Sequence, residues 1–121
     1  MIELHTFTFN PFSEQTYLID HGNGEATVVD PGMSNAAERE TFTNFCAERS
    51  LNPLQCVLTH AHLDHVLGAG WVYDTWGLKP RLHSLDRSTY EQAPRSAAVY
   101  GVPMDPLPPL GVDLGADEPI R

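Results

Sequence analysis

The sequence predicts an α/β (α+β) fold, a mostly antiparallel sheet with flanking helices, and three observations predict it. Short β-prone runs separated by turn residues fill the first thirty positions, and a capped, amphipathic helical pattern follows. A short apolar run then delivers the chain to a loop rich in histidine.

The elements follow in order. From Ile2 to Phe9 the β-prone residues are dense, and Asn10 and Pro11 punctuate them. "QTYLID", Gln15 to Asp20, reads as a second strand, and His21, Gly22, Asn23 and Gly24 as a turn. "EATVVD", Glu25 to Asp30, is a third strand that Pro31 and Gly32 stop, so the chain opens as an antiparallel meander. Ser34 or Asn35 can then cap a helix, with Glu38 three residues after Asn35 as a capping-box partner. Phe42, Phe45 and Cys46 have the i, i+3, i+4 spacing of a buried stripe, and the helix reaches about Arg49. Asn52 and Pro53 break it, and "QCVLT", Gln55 to Thr59, is a short buried strand. Helical patterning resumes in "HVLGAGWVYDTWG", where Leu67, Trp71, Tyr73 and Trp76 pack the helix inward. "PRLH" at Pro80 to His83 is a short strand, and "RSAAVYG" from Arg95 is a helix whose first turn accepts Pro94. Residues 1–102 read as one structural unit, and 103–121, with five prolines, as a connector or tail.

Composition narrows the function. The net charge is −9, the seven basic residues begin only at Arg39, and no basic stripe exists to neutralise phosphates. Nucleic acid and anionic membranes are therefore disfavoured as partners, leaving a small-molecule substrate. The start lacks the charged and apolar regions of a signal peptide, and no run is long and apolar enough to span a bilayer, which predicts a cytoplasmic protein. Two cysteines, Cys46 and Cys56, are too few for a disulfide framework and read as reduced, partly buried thiols.

The chemistry is concentrated in "LTHAHLDHVLGAG", Leu58 to Gly70, where His60, His62, Asp64 and His65 fall within six residues. On extended backbone, side chains two apart point the same way with Cα atoms about 6.5 Å apart, so His60 and His62 can converge on one ion. Asp64 and His65 stand at the start of the following helix, where chain reversal brings another imidazole and a carboxylate to the same place. Imidazole and carboxylate donors suit Zn²⁺, and Fe or Mn are compatible with them. Asp30 before Pro31 and Gly32 has a local reading as turn chemistry. His5 reads as a strand-surface residue and His21 as a turn residue.

"THAHLDH" resembles the signature loop of the metallo-β-lactamase fold superfamily. "FTFNPFSEQTYLI", "VVDPG" and "GLKPRLH" are similar to the opening half of its small glyoxalase II-like hydrolases. The resemblance implies half of an αββα sandwich with a binuclear metal centre, His60 and His62 on the first ion and Asp64 and His65 on the second. Asp30 would support the site from behind these ligands. It also implies hydrolysis of a thioester or other ester, hydroxyacylglutathione hydrolase-like, by hydroxide generated at the metals, with Asp64 both ligand and catalytic residue. Further ligands that the family draws from its second half have no matching position here, and the region of His83 is not a family ligand position. The expectation is therefore an N-terminal half, completed by a C-terminal half or by self-association. Two other readings stay open: a non-catalytic metal-binding or assembly module, and a mononuclear iron persulfide dioxygenase on the same fold. Tyr100 would lie near the pocket mouth.

Overall fold

Strands β1 (Glu3–Phe9), β2 (Glu14–Asp20) and β3 (Glu25–Val29) form the anticipated antiparallel meander in a computed structural model that describes residues 2–113. The last eight positions of the proline-bearing tail, 114–121, lie outside the described residues. The first hairpin turns through Asn10 and Ser13, both left-handed (φ 57° and 54°), and Asn10 Oδ1 accepts from the Phe12 N–H at 2.9 Å. Asn tolerates this conformation because its short side chain bonds to nearby backbone.

Helix α1 (Ala36–Glu48) links β3 to β4 (Asn52–Val57), and helices α2 (Leu63–Val66) and α3 (Ala69–Trp76) link β4 to β5 (Pro80–Arg81). Both connections return the chain parallel, so the five strands lie in sequence order in a mixed sheet, antiparallel across β1, β2 and β3 and parallel across β3, β4 and β5. Helical crossovers are what parallel neighbours require.

Asn35 caps α1, its Oδ1 accepting from Glu38 N at 2.8 Å. The Glu38 carboxylate reaches back to Ser34 N and also accepts from Asn10 N, each at 2.7 Å, which ties the helix start to the first hairpin. Phe42 and Cys46 are buried from α1 among Leu18, Val28, Met33 and Cys56, with Phe45, Trp71 and Trp76 at the margin.

Three elements differ from expectation. β4 begins at Asn52, not Gln55: Asn52 N donates to Gly24 O at 2.8 Å, and Pro53, which has no N–H, sits opposite Ala26 where the register shifts. A proline is tolerated at such a strand start. The helix after the histidine loop is two helices, because Gly68 N donates to Pro31 O at 2.7 Å, and a Cβ on Gly68 would fall 2.2 Å from Met33 Sδ. Finally, α4 spans Arg87–Tyr100, so Pro94 is inside it and not in its first turn. Its buried face, Tyr90, Ala93 and Ala97, holds the helix together despite the missing hydrogen bond to the Tyr90 carbonyl.

Beyond α4 the chain is laid across the core. Met104, Leu107 and Leu110 pack on a cluster of Leu58, Val66, Leu82 and Tyr90. The Tyr90 hydroxyl donates to Pro108 O at 2.6 Å, Arg39 pairs with Asp105 at 2.9 Å, and Gly111 N donates to Pro80 O at 2.9 Å. No helix among the described residues is long and apolar enough to cross a membrane.

Candidate metal centre

The parallel pair β3 and β4 ends in the residues that build the site. Asp30, left-handed at φ 53° and 1% exposed, follows β3 directly, and its N–H donates to Val57 O at 3.0 Å. Its Oδ1 accepts from Thr59 N at 2.7 Å and its Oδ2 from the Thr59 hydroxyl, so the first residues of the histidine loop hang from this one carboxylate. The Thr59 hydroxyl lies 3.0 Å from His60 Nδ1. Since that hydroxyl spends its proton on Asp30, it accepts from His60 Nδ1–H, which leaves Nε2 of His60 with a free lone pair.

His65 is held from the other side. Its Nδ1 is 3.1 Å from Asp30 Oδ2 and 3.5 Å from Glu14 Oε1, and its Nε2 is 3.6 Å from Asp64 Oδ2. These are ion-pair distances without hydrogen-bond alignment: His65 Nδ1 and Glu14 Oε1 are both buried and lack a hydrogen-bonding partner among the described residues. The His60 and His65 rings are 5.0 Å apart, and those of His60 and His62 are stacked at 5.9 Å.

Of the four residues singled out in the sequence, His60 lies ring to ring with His62 and with His65, and Asp64 lies beside His65, though not by strand alternation. β4 stops at Val57, and the tightest grouping is Asp30, His60 and His65, each with a donor atom within 4.8 Å of the others. Both Asp30 oxygens already serve Thr59, and one also faces His65. Asp30 thus ties the end of β3 to the start of the loop and stands behind His65. His60 and His62 are exposed, while Asp64 and His65 are half-buried. The Asp64 carbonyl accepts from Asn10 Nδ2 at 2.9 Å, and the same amide reaches Gly32 O at 3.1 Å. Gly32 is obligatory at this crowded point, where a Cβ would meet Glu14 Oε2 at 2.0 Å and the Asp64 carbonyl at 2.8 Å.

Glu14 is the residue that sequence reasoning missed. It is buried on the inward face of β2, in alternation with Thr16 and Leu18. Burial pushes its carboxyl up to about 8; the neighbouring Asp30, Asp64 and Glu38 add to this, and the Thr16 hydroxyl works against them. Its signal was an acid in phase with the apolar face of a strand.

The other histidines stand apart from the loop. His83 caps a short 3-10 turn, its Nδ1 accepting from Leu85 N at 3.2 Å. His21 bonds to the Thr27 hydroxyl at 2.8 Å, and His5 packs edge-on against Phe45. His5 also groups with Glu3 and Asp20 at the far end of the sheet, where Arg49 lies 3.9 Å from Glu3 and supplies positive charge. Tyr100 lies at the end of α4, and its ring meets Phe12 edge-on at 5.5 Å.

The donor set fits a divalent ion. Three imidazoles and a carboxylate share one short loop, Nδ1 of His60 meets the Thr59 hydroxyl, Nδ1 of His65 faces Asp30, and a cluster of acids gathers beneath. Backing carboxylates of this kind fix the ring orientation of ligating histidines.

The sequence profile of the metallo-beta-lactamase superfamily matches residues 9–119. The hydroxyacylglutathione hydrolase GloC of Haemophilus influenzae is 30% identical over 97 residues, covering 76% of this chain and 42% of that protein. Among solved structures, TTHA1623 in a di-iron-bound form superposes with a TM-score of 0.75 at 33% identity, over 94% of this chain and 56% of that one. The BLEG-1 B3 metallo-beta-lactamase superposes with a TM-score of 0.77 at 26% identity, over 96% and 54%. The chain spans less than half the length of the curated relatives it matches.

Proposed function

The chain belongs to the metallo-beta-lactamase superfamily, and from that premise we propose that it carries the first half of a metallohydrolase site that cleaves a thioester or other ester. The observation that carries the reading is the suspension of the His60 to His65 loop from Asp30. His60, His62, Asp64 and His65 would hold the metal, two divalent ions in the complete site. Zn²⁺ suits the donors best; iron is the alternative that the di-iron relative favours. When bound, such an ion lowers the pKa of its water towards about 7 and polarises a carbonyl oxygen.

The chain's own residues prepare that chemistry. Asp30 and Thr59 keep Nε2 of His60 bare and forward, Asp30 and Glu14 face Nδ1 of His65, and Asn10 fixes the backbone of Asp64. Asp64, beside His65 Nε2, would be both ligand and orienting group for the attacking water. In thioester hydrolysis a C–O bond to water forms and the C–S bond breaks; one water proton reaches the departing thiolate and the other is released to solvent. The hydroxyacylglutathione hydrolase named above supports a thioester, and the acidic chain favours a small molecule over nucleic acid or an anionic membrane. The remaining ligands would come from a C-terminal half or a second copy.

The test loads the purified chain with Zn, Fe or Mn and assays hydroxyacylglutathione, simple esters and a persulfide. Hydrolysis that disappears in Asp64→Asn, with the metal content of the His60→Ala, His62→Ala double variant reduced, supports the proposal. Oxygen uptake with the persulfide would transfer the assignment to an iron dioxygenase. A loaded chain that turns over none of them would leave a metal-binding module.

A further inference from the structure

Two exposed aromatic rings stand beside the histidine loop. Phe12 is 40% exposed and Tyr100 67%, yet they contact each other edge-on, at 83° between planes. They come from elements far apart in sequence, the first hairpin and the end of α4. With His62, Asp64 and Ser96 they line a cavity of about 310 Å³. A second cavity of about 270 Å³ also borders His62 and is lined by Ser88, Thr89, Gln92 and Ser96 of α4. The two share His62, Leu63 and Ser96, so they are lobes of one groove crossing the loop, one end aromatic and the other hydroxyl and amide. Among the described residues that line it there is no lysine or arginine, and Asp64 is an acid.

We infer that this groove binds an uncharged ester or thioester lengthwise, its apolar acyl chain against Phe12 and Tyr100 and a neutral hydrogen-bonding group along Ser88, Gln92 and Ser96. This rests on the hydrolase reading and narrows its substrate class. The aromatic lobe gives apolar area for an acyl chain, worth about fourfold in affinity per buried methylene. The polar lobe offers donors and acceptors and, among the described residues, no lysine or arginine, so a substrate whose thiol part is anionic gains no ion pair along it in a chain of net charge −9. Phe12 and Tyr100 thereby become specificity-determining residues for the acyl side.

Binding tests the groove independently of turnover. Calorimetry on the metal-loaded chain would use uncleavable thioether analogues of N-acetylcysteamine thioesters, with S-alkyl chains of two, four and six carbons, and the six-carbon glutathione thioether. Affinity should rise about fourfold per methylene, and the glutathione thioether should bind at least about tenfold more weakly than its N-acetylcysteamine counterpart. The Phe12→Ala, Tyr100→Ala double variant should bring the six-carbon ligand to within about twofold of the two-carbon one. Gln92→Ala should weaken all N-acetylcysteamine ligands by about fivefold. Val99→Ala, at an exposed position outside the lining, should change nothing. A flat chain-length series, a series that survives the double variant, or equal binding of the glutathione thioether would overturn the inference. Binding as described without cleavage of the matching thioesters would instead remove the hydrolase reading and leave the groove intact.

Discussion

Asp30 concentrates three tasks in one buried side chain: it closes the β3 end, holds Thr59, and faces His65. Asp30→Asn keeps an acceptor for the loop backbone but removes the charge beside His65 Nδ1. Metal affinity, measured by competition with a chromogenic chelator, should fall about 10- to 100-fold. Unchanged affinity would show that His65 is oriented by something else. Gly32 makes a different demand, steric and not electrostatic. In Gly32→Ala the new methyl group is forced onto Glu14 and the Asp64 carbonyl, so stability in urea should drop by about 1–3 kcal/mol. Because the Asp64 backbone must shift, metal affinity should drop with it.

Among the elements, α4 departs furthest from local rules, since Pro94 interrupts its hydrogen-bond ladder while Tyr90, Ala93 and Ala97 stay buried. Pro94 itself is exposed, so Pro94→Ala should restore the bond to the Tyr90 carbonyl and raise stability by about 1–3 kcal/mol in a denaturant titration. A loss of stability would mean that the helix is built around the proline. The same residue explains why the helix was half legible in sequence: proline signals a boundary locally, and only contacts from Leu58 and Leu82, distant in sequence, override it. The meander and α1 were legible because their ends are written in short-range chemistry, Asn10, Gly22, Gly24 and the Asn35 cap. The strand containing Cys56 was legible in type but not in its start, because Pro53 pairs only through an irregular register. Burial pushes the Cys46 thiol up to about 11 from an ordinary 9.0, and raises Cys56 further. The stability that Cys46 contributes is thus complete below pH 9 and fades as pH climbs from there to about 11. At pH 8 both should resist a thiol reagent in the folded chain and react once it is denatured.

At the scale of the molecule, the sheet order brings the first hairpin, the end of β3 and the histidine loop to one edge, and with them four carboxylates: Glu14, Asp30, Glu38 and Asp64. The ligand loop was visible in sequence because its donors fall within six residues. Its acidic floor was not, because Glu14 and Glu38 arrive from β2 and α1, the first standing just before the strand read from Gln15 and the second read only as a capping partner. Gathering like charges in a poorly solvated place opposes folding, and a divalent cation at the loop offsets that opposition. Metal should therefore stabilise the whole chain and not only its loop. At a free ion concentration one hundred times the dissociation constant, linkage gives about 2.7 kcal/mol, which for a domain of this size raises the melting midpoint by on the order of 10 °C. Calorimetric melting with Zn²⁺ and with excess chelator should show that difference in the native chain. It should be largely lost in the His60→Ala, His62→Ala double variant, whose metal-free midpoint stays near that of the native metal-free chain because both side chains are exposed. Equal midpoints with and without metal in the native chain would mean that the loop binds no ion tightly, and the hydrolase reading would fall with it.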